Sequence, residues 1–349
     1  MDKNIIVSVV MPVYNEEKHI AKCIDSLLEQ DYPLENMEWI FVDGMSKDRT
    51  VEILNGYREK YPQLIKVVNN PHRVVTYALN IGIANSVAKY IVRLDAHADY
   101  AKDYISKCIY HLENSDADNV GGVAETKAFG FVGDSIAKML SSKFGVGNSQ
   151  FRTNGEDGYV DTVPFGAFRR EVFEQLGLFD ERLIRSEDNE INYRIRKNGG
   201  KIYMSNDIKL TYYCRDTVGS LLKMAFGNGL WTIITMKVCP GTMGLRHFIP
   251  FLFVLSIIGL SALSFLHIAF LWLLLAELVL YFALGTYSAI EKTKNVGKIL
   301  FMLMLYPLFH CAYGIGSLCG LTKLFSKKYK KSYKPKKMED YLKYIEKAV

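Results

Sequence analysis

Three side chains with acceptor oxygens stand just past short apolar runs in the first hundred residues. Asn15 follows residues 5–11, Asp43 follows 39–42 and Asp95 follows 90–94. If those runs are parallel strands, the three residues fall beyond carboxyl ends, where open α/β sheets bind nucleotides. Asp95 and His97 are two apart, and in an extended segment such residues point the same way, so both could approach one divalent cation. Imidazole is the softer donor and tolerates Mn2+ as well as Mg2+. Residues 12–16 lead into a helix whose free backbone donors favour anionic or acceptor-rich ligands. A second group, Ser186, Glu187, Asp188 and Asn189, opens a helix ending near Lys197, where acids are favourable whatever their function. Each residue also has a plain structural reading: Pro12 as a turn proline, Tyr14 as a packed ring, Glu16 as a capping acid, His97 as a loop histidine. Asp99 is expected to cap a helix over residues 100–112.

The elements that must position these groups alternate in type. Residues 5–11 form a β-branched run suited to a strand buried on both faces, ended by Pro12. In 16–30, Ile20, Cys23, Ile24, Leu27 and Leu28 repeat at three and four, the mark of a helix with one apolar face. Strands are expected at 39–42, 65–68 and 90–94, with helices at 49–61 and 76–86. This alternation predicts an α/β domain with a Rossmann-like, mostly parallel sheet. A further strand is expected at 118–123, a helix at 135–144, a loop at 145–161, and closing strands at 201–204 and 210–213.

Composition changes after about residue 237. Residues 248–287 hold one acid, Glu277, and no Lys or Arg, a run twice the ~20 residues a helix needs to cross a bilayer. Spans are expected at 248–266 and 268–287, with a third candidate at 299–325. Residues 327–349 carry nine Lys against three acids, a net of +6 that equals the formal charge of the whole chain. Basic residues beside a span stay cytoplasmic and attract anionic lipid, so the tail reads as an anchor at a membrane surface and not as a nucleic-acid arm. Residues 5–10 are too short for the apolar region of a signal peptide, which predicts a domain kept in the cytosol. Domain and tail on one side need an even number of crossings, against three candidates. The six Cys form no CxxC pair and fit reduced, packed thiols. The expected organisation is a catalytic domain over 1–216, an interfacial amphipathic segment over 217–247, two to three transmembrane helices over 248–325 and a basic cytoplasmic tail over 326–349.

Four stretches in order carry a resemblance: residues 11–17 (MPVYNEE), 42–50 (VDGMSKDRT), 93–97 (RLDAH) and 186–190 (SEDNE). They resemble the successive motifs of family 2 glycosyltransferases over about two thirds of the chain. Residues 43–46, 95–97, 146–148 and 160–170 look like the ExoA-like enzymes of succinoglycan and related exopolysaccharide assembly. The resemblance implies a GT-A fold and inverting, metal-dependent transfer from a nucleotide sugar. By that likeness Pro12, Tyr14 and Glu16 line a uridine pocket and Asp43 accepts from the uracil ring. Asp95 and His97 hold Mg2+ or Mn2+, where most relatives carry Asp at the third position. Asp188 is the base that takes the acceptor proton, with Glu187 orienting the acceptor hydroxyl. Gly166 and Ala167 allow close approach of backbone to sugar, Arg73, Arg93, Arg169 and Arg170 are candidate phosphate contacts, and Trp231 falls near the acceptor. Asn80 matches a family position without a role from its chemistry. The chain lacks the Gln-x-x-Arg-Trp motif of processive synthases, which points to addition of one sugar.

The expected function is transfer of one hexose from a UDP-sugar, glucose by resemblance, to a polyprenyl-diphosphate-linked saccharide. The expected place is the inner (plasma) membrane, multi-pass, with the catalytic domain facing the cytoplasm. Two alternatives remain: a polyprenyl-phosphate sugar transferase, whose acceptor phosphate needs no base, and a non-catalytic nucleotide-sugar-binding component of an assembly complex.

Overall fold

The computed structural model describes residues 5–153, 155–326, 329, 334–342 and 344. These form two compact units. One takes the described residues of Met1–Ala124, Asn154–Tyr212 and Ser332–Val349, and the other those of Glu125–Thr153 and Tyr213–Lys331.

The first unit is built on a mixed sheet. In chain order its strands are β1 (Val7–Val13), β2 (Met37–Asp43), β3 (Ile65–Asn69), β4 (Tyr90–Arg93), β5 (Ala98–Tyr100), β6 (Asn119–Lys127), β7 (Gly158–Tyr159), β8 (Ala167–Arg169) and β9 (Ile202–Tyr213), the last residues of β6 and β9 running into the second unit. They lie in the order β3-β2-β1-β4-β8-β6-β9-β5, with β7 beside β9. The first four are parallel, with Val7 opposite both Met37 and Tyr90, and Trp39 opposite Ile65. Every residue of β2 is buried and all but Pro12 of β1, as expected of strands covered on both faces. The helices Ile20–Leu28, Thr50–Lys60 and Val75–Ala84 connect them. This register sets Asp43 at the end of β2 opposite Val13, with Asn15 and Asp95 two residues past β1 and β4.

Beyond β4 the sheet turns antiparallel: β8 pairs with β4 and β6, and β5 and β7 pair with β9. β5 and β8 were not expected, because three residues show no period. β9 runs unbroken where two strands were expected. Its polar centre finds partners elsewhere: Asp157 accepts from Ser205 Oγ at 3.0 Å and Asn206 N at 2.6 Å, and Asp207 meets His111 at 3.0 Å. Asp99 is no helix cap. It sits in β5 opposite Thr211 and is ion-paired to Lys22 at 2.6 Å, while the following helix, Tyr104–Asn114, starts after Asp103. The helix expected at 135–144 occupies Gly130–Leu140.

The second unit is helical, with Ile136, Met139, Leu305 and Tyr306 in its core. Its helix Val218–Val238 lies along Val296–Lys323, with Thr232 and Tyr313 hydroxyls 2.6 Å apart. Among the described residues two helices are long and apolar enough to cross a membrane, Ile268–Lys292 and Val296–Lys323. At 1.5 Å per residue they measure about 37 and 42 Å against a hydrocarbon core of ~30 Å. Ile268–Lys292 is only 6 % buried along its most apolar stretch, unlike a soluble core helix. Ile249–Leu263 has 15 residues, about 22 Å, and falls short of that length.

Residues 327, 328, 330–333, 343 and 345–349 of the lysine-rich tail lie outside the described residues. The part that is described is not merely a solvated end: Tyr341 is 1 % exposed.

Candidate active site

The loops that leave β1 and β2 are tied to each other by short hydrogen bonds. The Asn15 amide donates to Ser46 Oγ (2.9 Å), the Glu16 amide to Thr50 Oγ1 (2.7 Å), and the Lys47 amide to Asn15 Oδ1 (2.9 Å). Asp43 is buried and its carboxylate accepts the Ser46 amide at 3.0 Å. Asn15 (φ 55°) and Met45 (φ 64°) adopt the left-handed conformation, which non-glycine residues take rarely and at a cost. Tyr14 is half exposed, and Pro12 sits in β1 opposite Val42.

The other half of the site is built around Arg93, the last residue of β4. Its guanidinium is buried and faces three carboxylates: Asp95 at 3.2 Å, Glu187 at 3.5 Å and Asp188 at 3.7 Å. The Phe165 ring lies 5.0 Å from it, and its backbone amide donates to Gly166 O (3.0 Å). Phe165 is left-handed (φ 50°), with its carbonyl held by the Tyr104 hydroxyl at 2.8 Å. Ser186 is left-handed too (φ 66°) and opens the helix Glu187–Lys197 without a side-chain cap. That helix is fixed deeper down, where Arg194 grips Glu190 (2.6 Å) and the Leu176 and Leu178 carbonyls, and Asn192 bonds Thr162 and Asn119.

Charge is finely balanced here. Burial, then Asp188, pushes the Glu187 carboxyl up to about 7, against the pull of Arg93. Burial also raises Asp188, and Arg93 opposes it. Burial alone would lower the Arg93 guanidinium, but Asp188, Asp95 and Glu187 together hold it above its usual range. Two carboxylates beside one fixed cation can accept a proton and orient a hydroxyl.

Asp95 and His97 are not in an extended segment: residues 96 and 97 form a turn between β4 and β5. The argument from alternating side chains therefore does not apply to them. His97 Nδ1 instead lies 3.3 Å from Glu16 Oε1, which joins the β1 loop to the β4 turn. The Tyr100 hydroxyl accepts from the Asp95 amide (2.7 Å) and donates to its carbonyl, leaving the carboxylate to Arg93. Burial, then Asp99, Asp95 and Glu16, pushes the Cys23 thiol up to about 12, a sign of the negative field at this end of the sheet. Among the described residues no three His, Cys, Asp or Glu side chains form a metal cluster. A site for Mg2+ needs no such cluster, because that ion is held by one or two protein carboxylates and takes substrate phosphate oxygens for the rest.

The remaining expected residues fall in several places. A Cβ on Gly166 would lie 2.1 Å from Asn119 Oδ1, and Ala167 is buried in β8 between Val92 and Val120, so sheet packing alone requires both to be small. Arg169 bonds the Ala117 and Ser115 carbonyls, and Arg170 the Ser86 hydroxyl (2.9 Å), so both are structurally engaged. Arg73 is exposed and left-handed (φ 57°). Trp231 belongs to the second unit, buried in the helix Val218–Val238. Asn80 has a clear task that chemistry alone did not disclose: it donates to Phe179 O and Tyr341 Oη and accepts from Phe179 N, all at 2.9 Å.

Residues 8–177 match the model of glycosyl transferase family 2. The succinoglycan biosynthesis protein ExoA of Rhizobium meliloti (strain 1021) is 30 % identical over 244 residues, 69 % of this chain and 73 % of ExoA. The chain belongs to glycosyl transferase family 2. It is also similar to a Methanococcus voltae protein, dolichyl N-acetyl-alpha-D-glucosaminyl phosphate 3-beta-D-2,3-diacetamido-2,3-dideoxy-beta-D-glucuronosyltransferase, at 28 % identity over 91 % of this chain and 97 % of that one. Among solved structures, the mannosyltransferase PcManGT from Pyrobaculum calidifontis in complex with GDP-Man and Mn2+ superposes with TM-score 0.56 at 19 % identity, covering 92 % of this chain and 87 % of that one. S. aureus TarS 1-349 in complex with UDP-GlcNAc superposes with TM-score 0.50 at 16 % identity, covering 92 % of this chain and 90 % of that one. The fold of this family 2 member is GT-A, and the protein is a glycosyltransferase.

Proposed function

We propose that this glycosyltransferase moves one hexose, with inversion, from a UDP-sugar to a polyprenyl-diphosphate-linked saccharide at the cytoplasmic face of the inner membrane. The observation that carries the reading is the Arg93 cluster, in which the strand-end acid Asp95 and the helix-start acids Glu187 and Asp188 share one guanidinium. In the proposed step Asp188 takes the proton of the acceptor hydroxyl as that oxygen bonds the anomeric carbon. The bond from that carbon to the diphosphate breaks on the opposite face, and the nucleoside diphosphate leaves with the electron pair. Glu187 orients the hydroxyl, and Arg93 opposes the burial that would keep Asp188 protonated. Asp95 and His97 would hold Mg2+ or Mn2+, and such an ion, when bound, neutralises charge on the diphosphate. Pro12, Tyr14, Glu16 and Asp43 receive the nucleoside, with glucose the sugar indicated by resemblance.

The acceptor class is supported by the two relatives, one named for a dolichyl phosphate saccharide and one for succinoglycan biosynthesis. Their names fit an enzyme held at a bilayer by the apolar helices. Tyr341 packs in the same unit as the sheet, and two crossings would return the chain to the sheet's side of a membrane, which supports the reading.

The test uses purified protein in detergent with UDP- and GDP-sugars, extracted lipid-linked acceptors, and Mg2+ or Mn2+ with and without chelator. Transfer from a UDP-sugar that chelation abolishes is the expected result. Activity that survives chelation removes the metal role of Asp95 and His97, and transfer that survives Asp188→Asn favours a polyprenyl phosphate acceptor, which needs no base. Binding of a UDP-sugar with no turnover across all acceptors favours a non-catalytic component.

A further inference from the structure

A feature outside this chemistry ties a distant part of the chain to it. Residues 334–342 and 344 follow the last apolar helix, yet this stretch meets the loop that leads into the helix of Glu187 and Asp188. Tyr341 is buried, and its hydroxyl donates to Glu181 and accepts from Asn80 Nδ2 (2.9 Å). Lys336 Nζ lies 3.3 Å from the same Glu181 carboxylate, and the Lys336 carbonyl accepts from the Leu178 amide at 2.9 Å. The approach is close: a Cβ on Gly177 (φ 80°) would stand 2.5 Å from the Pro335 Cβ.

The gripped loop has other holds as well: Phe179, Asp180 and Leu183 are fully buried, and the Phe179 ring lies 5.7 Å from that of Phe173. Thr76 Oγ1 donates to Leu183 O at 3.2 Å, Asn80 bonds both backbone groups of Phe179, and Asp180 and Arg182 pair within the loop at 2.6 Å. It ends at left-handed Ser186, directly before Glu187. Leu178 joins the two sides: its amide bonds the tail, and its carbonyl accepts from Arg194 on the Glu187–Lys197 helix at 2.8 Å. A hydroxyl buried between an amide and a carboxylate is a specific contact, costly to leave unmade.

We infer that the tail is a working part of the catalytic unit, with Tyr341 a positioning residue that, through Glu181 and Asn80 and beside the Lys336 carbonyl on Leu178, fixes the loop 178–186 and thereby the placement of Glu187 and Asp188 beside Arg93. The inference rests on the transfer reading for its kinetic part alone; the structural part concerns the loop and its partner.

Full-length Tyr341→Phe, Tyr341→Ala and, as a control on the exposed face of the tail, Glu339→Ala are compared by amide hydrogen exchange and by transfer kinetics. Tyr341→Phe keeps the ring and removes only the hydroxyl, so it decides the matter if the alanine variant does not fold. Expected in Tyr341→Phe is exchange about ten-fold faster across 178–190. Its kcat is expected to be about ten-fold lower with donor KM within about two-fold, the signature of a displaced reacting group. The acid limb of its pH profile should also move, and Glu339→Ala should match the wild type. Wild-type exchange in Tyr341→Phe overturns the inference, and so does faster exchange with unchanged kcat and pH profile. If the wild-type enzyme transfers no sugar from any donor, the function proposed above fails, and the exchange comparison alone then decides whether the tail holds the loop.

Discussion

The two halves of the candidate site are held by different forces. The loops after β1 and β2 are fastened by neutral hydrogen bonds from backbone amides, such as Asn15 N to Ser46 Oγ and Glu16 N to Thr50 Oγ1, in a partly exposed setting. The cluster at the end of β4 is fastened by charge, one buried guanidinium among three partly buried carboxylates. Neutral bonds to a solvated loop each contribute about 1 kcal/mol and fail singly. A cluster built on one shared cation fails together only when that cation is lost, because all three acids are then stranded. The first arrangement suits a ligand recognised by shape, and the second a proton-transfer site whose affinity must be set.

The strongest way to break this contrast is Asp188→Asn. With the base role removed, kcat should drop about 10³-fold while the thermal midpoint holds, since Arg93 keeps Asp95 and Glu187. A loss under ten-fold would remove Asp188 as the base. Next is Arg93→Met, which leaves three carboxylates without a counter-charge. Denaturant unfolding at pH 8 should show a loss of about 3 kcal/mol, shrinking at pH 5 as the carboxyls take up protons.

Glu187→Gln sharpens the comparison through pH. A carboxyl raised to about 7 in the folded chain binds its proton more tightly there than when unfolded. Its favourable contribution is therefore full below about pH 4.3, the unfolded value, and is lost as pH rises through about 7. The variant should flatten stability across that window and be more stable than wild type at pH 8, by on the order of 2 kcal/mol. In the wild type, kcat should rise with pH across the titration of the Glu187 and Asp188 pair, since the base must be unprotonated. The smallest effect belongs to the neutral half: Ser46→Ala should cost about 1 kcal/mol and act on donor KM more than on kcat. A kcat loss there as large as that of Asp188→Asn would erase the distinction between the halves.

The neutral half was the more legible in sequence. β1 to β4 are apolar runs between amphipathic helices, and a parallel sheet then dictates which residues stand at the strand ends. The charged half was legible only in its residue types. Nothing in residues 93–97 discloses that Arg93 meets acids 94 and 95 positions later, and its expected phosphate contact gives no hint of the carboxylates it faces here. β5 and β8 are too short to show a period, and the polar centre of β9 resembles a break because its partners, Asp157 and His111, lie 48 to 96 residues away. Tyr341 was hidden most completely, one aromatic among lysines with its burial supplied by Asn80 and Glu181.

That placement of Tyr341 bears on how the enzyme comes into being. All of β1 to β9 leaves the ribosome before the apolar helices do, yet the loop beside Glu187 and Asp188 waits for a residue made after both of them. At ~5–20 residues per second, the wait from the end of β9 is roughly 6–25 s. A nascent chain therefore carries its sheet while its loop 178–186 still lacks this clasp, and sugar transfer should reach full rate only once the apolar helices have been synthesised and the tail has returned.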